Sequence, residues 1–88
     1  MPGMRFKSFS RDGKKLRIVE FADEVVEPHW CEKGHMGIVL SGEFEIDFKG
    51  KIVRYPEGAA IFIPPGAPHA HKGRAVTQAA RLFLVEEA

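Results

Sequence analysis

The chain has little of what usually stabilises or localises a small protein. Among its 88 residues there is one cysteine, one tryptophan and one tyrosine. Cys31 cannot close a bridge within the chain, so a disulfide framework is excluded. Net charge is almost absent: thirteen Lys and Arg stand against twelve Asp and Glu, a formal +1. No run or stripe of one sign marks a nucleic-acid surface. The longest apolar stretches, such as 59–65, fall far short of the ~20 residues that cross a bilayer. The opening MPGMRFKSFS lacks the apolar core of a secretory signal. A lone thiol without such a signal gives the expectation of a reducing, cytoplasmic setting. No Ser-His-Asp order, glycine-rich phosphate loop or spaced carboxylate pair is present.

What is present is period-two patterning. In EFEIDFK, residues 43–49, Phe44, Ile46 and Phe48 alternate with Glu43, Glu45, Asp47 and Lys49. That alternation predicts a half-buried strand. Further strands are expected at 16–21, 36–40, 51–55 and 59–63. Ser41-Gly42 is expected to close a hairpin between strands 36–40 and 43–49, and Lys49-Gly50 to make the next turn. Asp12-Gly13 beside Lys14-Lys15 also reads as a turn. The proline-rich run 64–68 stops one strand, and His69 is expected to open another. The segment AARLFLVEE has helical propensity. It is read as a strand over 79–85 because the rest of the chain is β. One all-β domain over 1–88, an antiparallel sandwich or barrel, is the expected architecture. A chain of this length has a thin stability margin, and metal binding or self-association remain as ways to add to it.

All four histidines and the cysteine lie between residues 29 and 71. His29 and Cys31 are two apart and would share a strand face, with Trp30 opposite. His35 follows Lys33-Gly34, where the chain can bend back, and His69 follows the proline-rich stop. Imidazole and thiolate suit borderline and soft divalent metals, whereas a carboxylate-free set disfavours magnesium and calcium. Surface or hydrogen-bonded histidines and a buried apolar cysteine are the plainer alternative. His71, two residues beyond His69 and on its face, reads as a rim residue, with an outer partner of the site as the alternative. Glu27 and Glu32 read as solvated loop carboxylates, and Trp30 and Phe62 as packing or contact residues. Arg54 and Tyr55 are within reach of the mouth by position alone.

The spacings resemble those of the cupin superfamily. Its first motif, G-x5-H-x-H-x3,4-E-x6-G, falls on His29, Cys31, His35 and Gly42, with Asp23 where the opening glycine would stand. Its second, G-x5-P-x-G-x2-H-x3-N, falls on Gly58, Pro64, Gly66 and His69, with Gly73 in place of the asparagine. The resemblance implies a small antiparallel β-barrel or jelly roll, usually paired as a homodimer. It also implies one divalent transition metal on His29, Cys31, His35 and His69. Cys31 replaces an imidazole and His35 a carboxylate, so the site keeps one anionic donor and becomes softer. Zinc or iron is expected first, then nickel, copper or manganese. Two functions follow from this set. One is a metal-dependent, dioxygenase-like or other small-molecule enzyme. The other is a non-catalytic ligand-binding, redox or metal-sensing module.

Overall fold

Alternation of apolar and polar side chains builds two sheets that share one core. The structure, a computed structural model, describes residues 3–23, 25 and 27–87. Eight strands run through them: β1 Met4–Arg11, β2 Lys14–Ala22, β3 His35–Ser41, β4 Phe44–Asp47, β5 Ile52–Tyr55, β6 Ala60–Ile63, β7 Lys72–Ala75 and β8 Ala79–Glu87. A single 3-10 turn, Ala67–His69, precedes β7. One sheet has the order β1-β2-β8-β3-β6, the other β5-β4-β7, and all pairings are antiparallel.

The expected strands are present, with differences at their edges. Strand β1 is an addition, its serines and charges having masked a weak alternation. It pairs with β2 through Asp12-Gly13, whose φ values of 53° and 77° are those of a primed hairpin turn. The C-terminal segment is a strand, and it lies between β2 and β3 near the middle of the larger sheet.

Ser41-Gly42 does not close a hairpin: β3 and β4 belong to different sheets, so the chain crosses between layers there. Gly42 has φ +77°, and a Cβ on it would lie 2.3 Å from the Ala79 carbonyl oxygen. The residue that reads as a turn signal is therefore needed at a close crossing. Lys49-Gly50 does join a hairpin, β4 to β5, with the Gly50 amide donating to Asp47 Oδ1 at 2.9 Å.

Between the sheets lies a cluster that includes Val19, Phe21, Val39, Phe44, Ile46, Ile61, Ile63, Leu82 and Leu84. Phe21 and Phe44 meet across it with ring centroids 5.0 Å apart. Glu45, on the other face of β4, is nonetheless buried. Arg74 on β7 holds it at 2.7 Å, and Arg54 on β5 lies 3.6 Å away. No helix among the described residues is long and apolar enough to cross a membrane.

Candidate metal centre

At one end of the larger sheet the core face turns polar. On β8 the inward positions run Ala80, Leu82, Leu84 and then Glu86. On β2, Arg17 shares the inward face of Val19 and Phe21, and on β3 the first inward residue is His35. Arg17, His35 and Glu86 therefore meet because three strands begin or end there. The Arg17 guanidinium donates through Nη2 to Glu86 Oε2 at 2.8 Å. His35 Nδ1 faces the same oxygen. The contact is close without the alignment of a good hydrogen bond, and Nδ1 has no other polar partner.

Facing this group is an isolated β-bridge between Cys31 and His71. Two backbone hydrogen bonds lock it, from the Cys31 amide to the His71 carbonyl at 2.8 Å and from the His71 amide back at 3.0 Å. The Cys31 Sγ lies 3.8 Å from His35 Nε2. The His35 and His71 rings meet edge to face with centroids 5.0 Å apart. One ligand atom each from Cys31, His35 and His71 falls within 4.8 Å of the others. His71 Nδ1 donates to the His69 carbonyl oxygen at 3.0 Å, which leaves Nε2 with its lone pair.

These residues fit a metal. A tetrahedral zinc bonded to sulfur at about 2.3 Å and nitrogen at 2.0–2.1 Å holds the two atoms roughly 3.5 Å apart. The observed S–N separation of 3.8 Å is close to that without any rearrangement of the backbone. Burial pushes the His35 imidazole below its ordinary range, and His71 and Arg17 push the same way while Glu86 opposes them. The neutral ring, which is the form that ligates, is thereby favoured.

The cluster lies on the wall of a cavity of about 120 Å³. Its remaining lining is largely apolar and includes Met4, Phe21, Phe44, Ile61 and Leu82. A larger outer groove, which Glu86 lines, shares His35 and Ile63 with this cavity, so those two side chains form the partition between them.

Of the four residues expected at the site, Cys31 and His35 come together and His29 and His69 do not join them. A bend at Pro28-His29 interrupts the extended backbone, so the shared-face argument fails and His29 is exposed. His69 ends the 3-10 turn and is also exposed, contributing its carbonyl instead. His71, expected at the rim or as an outer partner, is 5% exposed and lies with Cys31 and His35. Glu27 is not a solvated loop carboxylate. It lines the cavity and accepts the Gly73 amide at 2.7 Å. Glu32 is exposed as expected. Trp30 and Phe62 are exposed too, with Lys49 and Lys72 flanking the indole. Arg54 and Tyr55 are not among the cavity residues. Glu86 and Arg17 escaped the sequence reading. For Glu86 a signal existed, since it continues the inward alternation of Leu82 and Leu84.

The chain belongs to the cupin family: the model for the cupin domain matches residues 17–86. Its fold is similar to several solved structures. KdgF from Halomonas sp. aligns at a TM-score of 0.75 with 25% identity over 100% of this chain and 83% of that one. The EutQ protein of Clostridium difficile aligns at 0.77 with 19% identity over 96% of this chain and 67% of its own. An HTH_3 family transcriptional regulator from Vibrio cholerae aligns at 0.76 with 17% identity over 98% of this chain. The chain spans 51% of that regulator's length. A search of the curated proteins gives no match.

Proposed function

We propose that the protein binds one divalent transition metal through Cys31, His35 and His71, and uses the centre to hold a small molecule in the cavity beside it. The observation that carries this reading is the convergence of the three donor atoms within 4.8 Å, two of them on buried residues. Zinc and iron suit the donor set first; nickel and copper are compatible with it, and manganese less so. Three protein ligands leave a position for a ligand or water, as in catalytic rather than structural zinc sites. A metal bound there would supply Lewis acidity or an activated water. Among this chain's own groups, the apolar lining excludes bulk water from one side. An engineered apolar cavity of about 150 Å³ holds benzene, so a cavity of about 120 Å³ takes a ligand of similar size or smaller.

Whether the bound molecule is turned over depends on acid–base groups. Glu86 is engaged by Arg17 and Glu27 by the Gly73 amide. Among the described residues Glu27 is the one carboxylate lining the cavity, and turnover by hydrolysis or isomerisation would depend on it, whereas binding or sensing needs no such group. Keeping Cys31 reduced fits a reducing compartment such as the cytoplasm.

Pairing into a homodimer belongs to the same reading. One cross-strand row on the outer face of the larger sheet runs Phe9, Leu16, Val85, Met36 and Phe62 across all five strands. Phe9, Met36 and Phe62 are 60%, 52% and 71% exposed. An apolar row of this extent on a sheet face is the kind of surface that a second copy covers.

Metal analysis of protein purified without added metal tests the site. About one transition metal per chain is expected, falling to near zero in Cys31→Ser and His71→Ala. Metal-free wild type that takes up none on titration contradicts the reading.

A further inference from the structure

Glu86 stands where the alternation of β8 calls for another apolar residue, and its side chain is 4% exposed. A buried carboxylate is costly unless paired and hydrogen-bonded. Its contacts are specific: Oε2 accepts from Arg17 Nη2 at 2.8 Å and faces His35 Nδ1. A carboxylate oxygen can only accept, so the proton of a neutral His35 belongs on Nδ1. The lone pair is then on Nε2, the atom that faces Cys31 Sγ. An imidazole free in water favours the opposite tautomer, with its proton on Nε2. Arg17 completes the arrangement. With 17% of its side chain exposed, it holds the carboxylate in place, and Phe6 packs against its guanidinium at 5.6 Å.

We infer that Glu86, anchored by Arg17, is a positioning residue for this centre: it fixes His35 as the Nδ1–H tautomer and thereby aims Nε2 at the metal. The purpose of this arrangement rests on the metal-binding reading above. The tautomer itself is a property of the metal-free chain, so the two can fail separately. His71 is held in the same sense by a different acceptor, the His69 carbonyl. Outer partners of this kind set ligand orientation and basicity at metal sites.

The experiment is long-range ¹⁵N–¹H correlation of the imidazoles in the full, metal-free chain at mildly alkaline pH. The wild type is expected to show His35 as the Nδ1–H tautomer. Glu86→Gln, whose amide oxygen still accepts, should retain it, and Glu86→Leu should release it to Nε2–H. Arg17→Met, which leaves β8 untouched, should mix the two forms and keeps the test open if Glu86→Leu does not fold. Zinc alone, titrated against a chromophoric chelator, should bind about 10–100-fold more weakly to Glu86→Leu and be rescued in large part by Glu86→Gln. A wild-type His35 protonated on Nε2 overturns the inference. So does an unchanged tautomer in both Glu86→Leu and Arg17→Met, or zinc affinity that does not respond to Glu86→Leu. If the wild type takes up no metal while the tautomer follows Glu86, the metal reading fails and the positioning of His35 stands.

Discussion

At the scale of single residues, the account turns on which histidines have a free lone pair directed inward. His71 Nδ1 is hydrogen-bonded to the His69 carbonyl and His35 Nδ1 faces Glu86 Oε2, which leaves each Nε2 available, whereas His29 and His69 are exposed. Removing Cys31, His35 or His71 should therefore weaken metal binding more than loss of an outer partner does, by about 100-fold or more. His29→Ala and His69→Ala should leave it nearly unchanged, because the His69 contribution is its backbone carbonyl. Competition titration of the five variants checks this, and an equal loss in His29→Ala would return that residue to the site.

The lowered pKa of His35 has a second consequence. Its ordinary value is about 6.5, and the folded metal-free chain holds it lower. As pH falls below 6.5 the unfolded chain takes up this proton first, so stability falls until the folded-state value is passed. Above 6.5 both states are neutral and His35 contributes no slope. Denaturant titrations of metal-free protein between pH 5 and 8 should show a decline on the acid side that is smaller in His35→Asn.

The meeting of Cys31 with His35 was legible from spacing and ligand type. That His71 rather than His69 lies beside them was not, because a 3-10 turn rather than a strand carries His69.

Elements show a different division between what patterning reveals and what it hides. Alternation identified the core face of β4, since burial acts on every second side chain, while β2 and β8 were readable as strands but not by face. It could not say which sheet each strand joins, and so the Ser41-Gly42 crossing read as a hairpin. Membership depends on contacts distant in sequence, such as Gly42 against the Ala79 carbonyl. Gly73 makes a similar point. The family motif usually has asparagine there, yet a Cβ at this position would lie 2.4 Å from the Phe44 ring. Gly73→Asn should push Phe44 from its place against Phe21 and destabilise the protein, read as a lower denaturant midpoint. Leu82→Ala, at a position 2% exposed between the sheets, should cost about 2–5 kcal/mol in the same assay. A neutral Gly73→Asn would mean that the smaller sheet is free to shift at this contact.

For the whole molecule, the two sheets play unequal parts. The larger one supplies His35, Glu86 and Arg17 on its inner face and the apolar row on its outer face. The proposed metal binding and the proposed pairing would therefore draw on opposite sides of one sheet and should be separable. Met36→Glu with Phe62→Glu places charge at the row's exposed end. Sedimentation should show a dimer for the wild type and a monomer for this double variant, with metal content retained in both. A wild type that stays monomeric at micromolar concentration contradicts the pairing.

The most direct test of the central claim is X-ray absorption at the edge of whichever metal the purified protein retains. The account predicts one sulfur scatterer, at about 2.3 Å if the metal is zinc, together with two imidazoles and a light exchangeable atom. A first shell of nitrogen and oxygen alone, with no sulfur and with the imidazoles of His29 and His69 required to complete it, would contradict it.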